Sequence, residues 1–142
     1  MNLAIAVDFD GTCVTHEFPK IGQEVGAVPV LRDLVAKGHR LILFTMRSDV
    51  TAPVSDDPHI ACEPGDYLTQ AVQWFAKHDI PLWGIQTNPT QHELTTSPKA
   101  YAHLYLDDAA LGMPLVTDVL PGMRPYVDWD AVRVLLEQRG IL

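Results

Sequence analysis

The chain is short of basic residues, and this shortage bears on its partners. Its 10 Lys and Arg stand against 18 Asp and Glu in 142 residues, which gives a formal net charge of −8 at pH 7. Proteins that bind long nucleic acid usually carry a basic face, so the charge balance argues against such a partner. An acidic site can still hold a small anionic substrate when a divalent cation lies between the two.

Cysteine and long apolar runs are scarce as well. The two cysteines, Cys13 and Cys62, lack the spacing of a metal site, so two free thiols are expected. No apolar run approaches the roughly 18 residues of a membrane-spanning helix, and no membrane partner is expected. Met1 and Asn2 precede an apolar run that breaks at Asp8, which is unlike a signal peptide. These absences predict a cytoplasmic chain.

The segments that are present alternate between strand-like and helix-like patterns. The length suits a single domain over residues 1–142. Continuous apolar runs predict four buried strands, at 3–7, 40–45, 82–85 and 102–106. Helical spacing predicts three helices with these inward residues: Val28, Leu31, Leu34 and Val35; Leu68, Ala71, Val72 and Phe75; Val132, Leu135 and Leu136. The pattern predicts an α/β fold with a parallel sheet and helices on both faces.

Acids and turn-forming residues mark the ends of these elements. Asp66 and Asp128 are placed to cap the second and third helices, because an aspartate before a helix can accept from its first free N–H groups. Residues 46–64 contain three prolines, and residues 87–98 are rich in Thr, Pro, Asn and Ser. Both stretches are therefore predicted to be loops.

Polar residues stand at the ends of three predicted strands. Asp8 follows the first strand, Thr45 ends the second, and Asp107 and Asp108 follow the fourth. In parallel sheets, ligands bind beyond the carboxyl ends of the strands. Three segments that are distant in sequence are therefore expected to meet at one rim of the sheet.

The stretch DFDGT supplies two acids that can act together. Residues i and i+2 of an extended segment point the same way, so Asp8 and Asp10 can address one centre. Gly11 lets the backbone bend just after them, although Asp-Gly alone is also a common turn. With Asp107 and Asp108, these acids offer several hard oxygen ligands. Such ligands suit Mg²⁺, so these four acids are the predicted metal ligands.

Each polar residue at this rim has a chemical role available to it. Asp8 can attack phosphorus to give an aspartyl phosphate. Asp10 can protonate the leaving oxygen and later activate water as a general acid/base. Thr45 can donate a hydrogen bond to the phosphoryl group, and Lys99 can bring a cation to its oxygens. Arg47 can clamp a substrate phosphate or carboxylate. For Lys99 and Arg47, the alternative is an ordinary surface residue.

These residues resemble the four motifs of the haloacid dehalogenase (HAD) superfamily. In chain order the matching parts are DFDGT, Thr45, Lys99 and the pair Asp107-Asp108. The resemblance implies a Rossmann-like three-layer sandwich with a central, mostly parallel sheet. It also implies Mg²⁺ as the cofactor and Asp8 as the nucleophile. The acid at position 10 is similar to the phosphatases of the superfamily, whereas its ATP-driven pumps carry threonine there and its dehalogenases lack this acid.

Members of this superfamily usually have a cap domain that sets substrate choice. Residues 13–24 leave no room for a folded cap, and the segment between the second and third strands is used up by a loop and one helix. The chain therefore resembles the capless group. An open site suits a bulky substrate, a lid from a partner, or closure by a homo-oligomer. His16, Glu17 and Lys20 lie in the short segment that can cover the site, where they can touch the substrate.

The predicted function is an Mg²⁺-dependent phosphatase that acts on a small phosphorylated substrate. Two alternatives stay open. A nucleotide or nucleic-acid-end phosphatase would use the same chemistry, although the acidic charge weighs against polymer ends. A non-catalytic HAD-like module would bind metal or a partner. The joint presence of Asp8, Asp10, Thr45 and Lys99 argues against this last alternative.

Overall fold

A four-stranded, all-parallel sheet lies at the centre of the structure, a computed structural model that describes residues 1–142. The elements in chain order are β1 (Ala4–Val7), α1 (Ala27–Ala36), β2 (Arg40–Leu43), β3 (Asp49–Val50), β4 (Gly65–Asp66), α2 (Tyr67–Lys77), β5 (Gly84–Ile85), a 3₁₀ helix (Gln91–Glu93), β6 (Leu104–Leu106), β7 (Leu115–Val116), β8 (Tyr126–Val127) and α3 (Trp129–Gln138). The strand order in the central sheet is β5-β2-β1-β6. Two antiparallel ribbons, β3-β4 and β7-β8, stand apart from it.

The two inner strands follow directly from the apolar runs. All of β1 is buried, and so are three of the four residues of β2, because both strands have neighbours on each side and cover on each face. Ala6 is in register with Ile42 of β2 and with Tyr105 of β6. The predicted strands at 82–85 and 102–106 are shorter in the structure, at Gly84–Ile85 and Leu104–Leu106.

The two faces of the sheet are covered differently. Ile5 and Val7 pack into one hydrophobic core with residues from all three α-helices. The opposite face, which carries Ile42 and Gly84, is covered by the segment between β5 and β6. A side-chain Cβ at Gly84 would overlap the Thr87 carbonyl oxygen and lie 3.0 Å from Pro89 Cδ, so this position requires glycine. The α/β fold with a central parallel sheet and no separate cap is confirmed, while the second face carries a short 3₁₀ helix in place of an α-helix.

Helix α3 matches its predicted cap and most of its predicted inward residues. The Asp128 side chain accepts a hydrogen bond from the Ala131 N–H at 3.2 Å, so the predicted cap is confirmed. Trp129, Val132 and Leu136 form the buried stripe. Leu135 lies at the edge of this stripe and is 45% exposed, so its predicted inward position is wrong. None of the three α-helices combines the length and the apolarity that a bilayer crossing requires.

Helix α2 begins in a way that the sequence did not predict. The Asp66 side chain makes no capping hydrogen bond. Asp49, from β3, instead accepts from the Thr69 N–H at 2.9 Å and from the Thr69 hydroxyl at 2.6 Å. These two bonds, the hydroxyl bond first, lower the pKa of Asp49. The cap is therefore supplied from 20 residues away in sequence, across the antiparallel pair of β3 and β4.

Exchanging each aspartate for alanine distinguishes the two caps. Asp49→Ala is expected to lower the thermal midpoint by a few degrees. The reason is that the N–H and the hydroxyl of Thr69, at the start of α2, both lose their acceptor. Asp66→Ala is the matched control and is expected to leave the midpoint nearly unchanged. Thermal unfolding followed by circular dichroism measures both. Equal losses in the two variants would contradict the assignment of Asp49 as the cap.

Candidate active site

Three aspartates meet where β1 and β6 end. The Asp8 N–H donates to the Leu106 carbonyl at 2.9 Å, which ties the two strand ends together. Carboxylate oxygens of Asp8, Asp107 and Asp108 all lie within 4.8 Å of one another. The predicted meeting of distant segments at one rim is confirmed for these acids. Their hard oxygen donors fit a divalent cation such as Mg²⁺.

Thr12 links the two halves of this cluster, and sequence reasoning assigned it no role. Its hydroxyl lies 2.9 Å from Asp8 Oδ2 and 3.3 Å from Asp108 Oδ1, and it accepts from the Asp108 N–H at 3.1 Å. Gly11, just before it, has φ +82, and a Cβ there would lie 2.7 Å from Asp108 Oδ2. The last two letters of DFDGT therefore fix the geometry of the acids.

The environment of Asp8 disfavours a third negative charge in the cluster. The pKa of Asp8 is raised to about 8. Burial is the largest cause, followed by the hydrogen bond with Asp108 and the negative charge of Asp107. Without a cation, the cluster therefore retains a proton at neutral pH. A divalent cation would replace that proton and relieve the repulsion between the carboxylates.

This pKa predicts how stability and metal binding depend on pH. The pKa of Asp8 rises from 3.8 in the unfolded chain to about 8, so the folded state binds the extra proton between these values. The stability of the metal-free protein is expected to fall as pH rises from 5 to 8, by about 3–4 kcal/mol. Mg²⁺ should restore it, and Mg²⁺ binding at pH 7 should release a proton. Denaturant unfolding in EDTA and calorimetry in two buffers measure these effects.

The matched variants are Asp8→Asn and Asp118→Asn. Asparagine at position 8 carries no charge, so this variant should show a flatter dependence on pH and a gain in metal-free stability at pH 8. Asp118 is exposed, so its variant should behave like the wild type. A wild-type curve as flat as that of Asp8→Asn would contradict the raised pKa.

Asp10 does not join the three-aspartate cluster. Its carboxylate forms a bidentate pair with Arg47, with Nε to Oδ2 and Nη2 to Oδ1 each at 2.8 Å. The other Arg47 N–H groups donate to the carbonyls of Pro19, Lys20 and Tyr67. All five guanidinium donors are therefore in use, and the side chain is 1% exposed.

Two predicted roles are corrected by this pairing. Arg47 has no donor left to clamp a substrate phosphate, because its donors hold Asp10 and three backbone carbonyls. The Asp10 side chain is held by Arg47 and is absent from the group of carboxylates that could hold a metal ion. Arg47 is thus a positioning residue. It ties Asp10 to the 13–24 segment and to the start of α2.

A cavity of about 720 Å³ opens over these residues. Its polar side includes the carboxylates together with Thr45 and Arg124. The Thr45 hydroxyl oxygen accepts a hydrogen bond from the backbone N–H of Arg47 at 3.1 Å. The hydroxyl proton of Thr45 is therefore available to a ligand. Arg124 makes no ion pair within the chain. Sequence reasoning missed Arg124 because no recognisable motif surrounds it in the loop between β7 and β8.

Lys99 lies outside the lining of this cavity. It is exposed, and its Nζ lies 5.8 Å from the centre of the Tyr105 ring. Its role toward phosphate therefore stays a prediction. The cation that the structure places in the cavity without an acidic partner is Arg124.

The 13–24 segment contributes two residues to the cavity lining, His16 and Phe18. His16 Nε2 lies 3.0 Å from Asp108 Oδ2, outside hydrogen-bond geometry, and has no other partner. Glu17 and Lys20 do not line the cavity. Of the three residues predicted to touch the substrate, His16 alone is therefore in position to do so.

Comparison with known proteins gives one informative structural similarity. No family model matches the chain, and no curated protein is found as a relative. The solved structure of a conserved protein from Bacteroides thetaiotaomicron is 28% identical, with a TM-score of 0.70. The similarity covers 98% of this chain and 93% of that chain. It supports the α/β fold without an inserted cap, and the description of that protein names no activity.

Proposed function

We propose that this chain is an Mg²⁺-dependent phosphatase of the HAD superfamily that acts on a small phosphorylated substrate. The observation that carries the proposal is the group of three carboxylates at the ends of two adjacent parallel strands, open to a cavity. Asp8, Asp107 and Asp108 would hold the ion. When bound, Mg²⁺ offsets the repulsion between these acids and the negative charge of a phosphate.

In the first step, the Asp8 carboxylate attacks phosphorus. A bond forms between its oxygen and phosphorus, the ester bond to the leaving oxygen breaks, and the leaving alcohol takes a proton from Asp10. Arg124 and the Thr45 hydroxyl face the cavity, where they can bind the equatorial phosphoryl oxygens. In the second step, water attacks phosphorus, Asp10 accepts its proton, and inorganic phosphate leaves Asp8.

The Arg47–Asp10 pair fixes the position of the Asp10 carboxylate. Two guanidinium N–H groups hold this carboxylate in the lining of the cavity, where it can face the leaving oxygen and then the attacking water. To protonate the leaving oxygen in the first step, Asp10 must first take up a proton and loosen this pair. The two steps therefore place opposite demands on the same ion pair.

The setting of the protein is part of the same proposal. Cys13 and Cys62 are free thiols, as is usual in the reducing cytoplasm, where we place the chain. The net charge of −8 favours a small phosphorylated substrate over long nucleic acid. A second copy of the chain can supply the lid that the open cavity lacks.

Hydrolysis of a generic aryl phosphate tests the proposed reaction. We expect phosphate release with Mg²⁺, none with EDTA, and recovery when Mg²⁺ is added in excess. Nucleoside monophosphates in the same assay test the nucleotide alternative. A folded protein that binds Mg²⁺ and releases no phosphate from any of these esters would contradict the proposal and favour a non-catalytic module.

A further inference from the structure

The cavity has an apolar side that the phosphatase chemistry does not use. Phe18, Met46, Val54, Ile60 and Tyr67 lie on it. Met46 is 97% exposed, Val54 98% and Ile60 72%, although each is strongly apolar. Single exposed apolar residues are normal in proteins, but several that converge on one cavity mark a binding surface.

The segment that carries most of this apolar side is fixed at both of its ends. Val50 pairs with Gly65 in the β3-β4 ribbon. Next to this pair, Asp49 holds Thr69 of α2 through two hydrogen bonds. The Tyr67 hydroxyl donates to the Glu63 carbonyl, which closes the end of the segment. Val54 and Ile60 therefore belong to a loop that is anchored beside the carboxylates.

In the same loop, apolar residues line the cavity and the acidic residues do not. The residues that it turns to the cavity are apolar or small: Val50, Val54, Ser55, Ile60, Ala61 and Cys62. Its acids, Asp56, Asp57 and Glu63, lie outside the lining. Beyond the polar side, the cavity thus offers no charged group to the rest of a substrate.

We propose that the substrate is a phosphomonoester of an apolar, aromatic alcohol, an inference that rests on the proposed phosphatase function. The phosphate lies at the carboxylates and Arg124, and the leaving group lies against Met46, Val54 and Ile60. The rings of Phe18 and Tyr67, with centroids 5.2 Å apart, form an aromatic edge to this surface. The cavity of about 720 Å³ is in the range of sites for whole organic ligands and is far larger than a phosphate needs.

Two esters of primary alcohols test this inference, because their leaving groups have similar intrinsic reactivity. We expect kcat/KM for 2-phenylethyl phosphate to exceed that for glycerol 1-phosphate by at least about tenfold, owing to burial of the phenyl group. The double variant Val54→Ser and Ile60→Ser should lose most of this ratio. Leu94→Ser is the matched control, because Leu94 is 82% exposed and lies outside the lining. It should retain the ratio of the wild type.

The outcomes separate this inference from the proposed function. Equal kcat/KM values for the two esters would overturn the aromatic leaving group while the phosphatase function stands. An unchanged ratio of the two kcat/KM values in the double variant would show that Val54 and Ile60 do not bind the leaving group. If Mg²⁺ supports hydrolysis of neither ester and of no aryl phosphate, the proposed function fails and the inference fails with it.

Discussion

Asp8→Asn is expected to abolish phosphate release, with a fall in kcat of about 10⁴-fold or more. The physical reason is that an amide oxygen is a poor nucleophile toward phosphorus and cannot form the aspartyl phosphate. The variant also removes one carboxylate from the group that would hold Mg²⁺. Steady-state hydrolysis of an aryl phosphate at saturating Mg²⁺ measures the loss.

Stability provides the control for this variant. Because the pKa of Asp8 is raised to about 8 by burial and by its acidic neighbours, its removal should leave the metal-free fold at least as stable as the wild type. Loss of activity then cannot be assigned to unfolding. Asp118→Asn, at an exposed position, should keep full activity. Substantial turnover by Asp8→Asn, in protein free of deamidation, would remove Asp8 from the mechanism.

Arg47→Met is expected to lower the free energy of unfolding by about 3–5 kcal/mol. The arginine side chain is 1% exposed, and that of Asp10 is 19% exposed. Methionine fills similar space but leaves the Asp10 carboxylate without its partner. The carbonyls of Pro19, Lys20 and Tyr67 lose their donors as well. Urea unfolding compares the variant with the wild type.

A surface ion pair of the same length supplies the matched control. Arg133 and Asp33 are 2.8 Å apart, like Arg47 and Asp10, but their side chains are 33% and 54% exposed. Arg133→Met should therefore change the free energy of unfolding by less than about 1 kcal/mol. The double variant Arg47→Met with Asp10→Asn should recover part of the loss, since no unpaired charge remains. If Arg47→Met lowered the free energy of unfolding no more than Arg133→Met, burial of the Arg47–Asp10 pair would not explain its contribution to stability.

The sequence predicted the features that depend on local pattern. The continuous apolar run at 3–7 identified β1, and the acids after it and after β6 predicted the carboxylate cluster, because adjacent parallel strands end at one rim. Asp128 was recognised as a cap because its partner, Ala131, is three residues away. Each of these inferences needs only the periodicity of an element or the position where it ends.

Features that depend on the path of loops could not be predicted in this way. Asp66 stands directly before α2, yet Asp49 supplies the cap, because the β3-β4 ribbon brings it there. Arg47 was predicted to face the substrate, but the fold surrounds it with five acceptors from three segments. Arg124 enters the cavity from a loop without a motif, whereas Lys99, which fits a motif, lies outside the lining.

Phosphorylation of Asp8 can be detected in an acid-quenched reaction. The Asp10→Asn variant would be mixed with Mg²⁺ and an aryl phosphate, quenched in acid, digested and analysed by mass spectrometry. Because this variant lacks the base that activates water, we expect phosphate to accumulate on the peptide that contains Asp8. Turnover by Asp10→Asn as fast as the wild type, with no phosphate on that peptide, would contradict the aspartyl-phosphate mechanism.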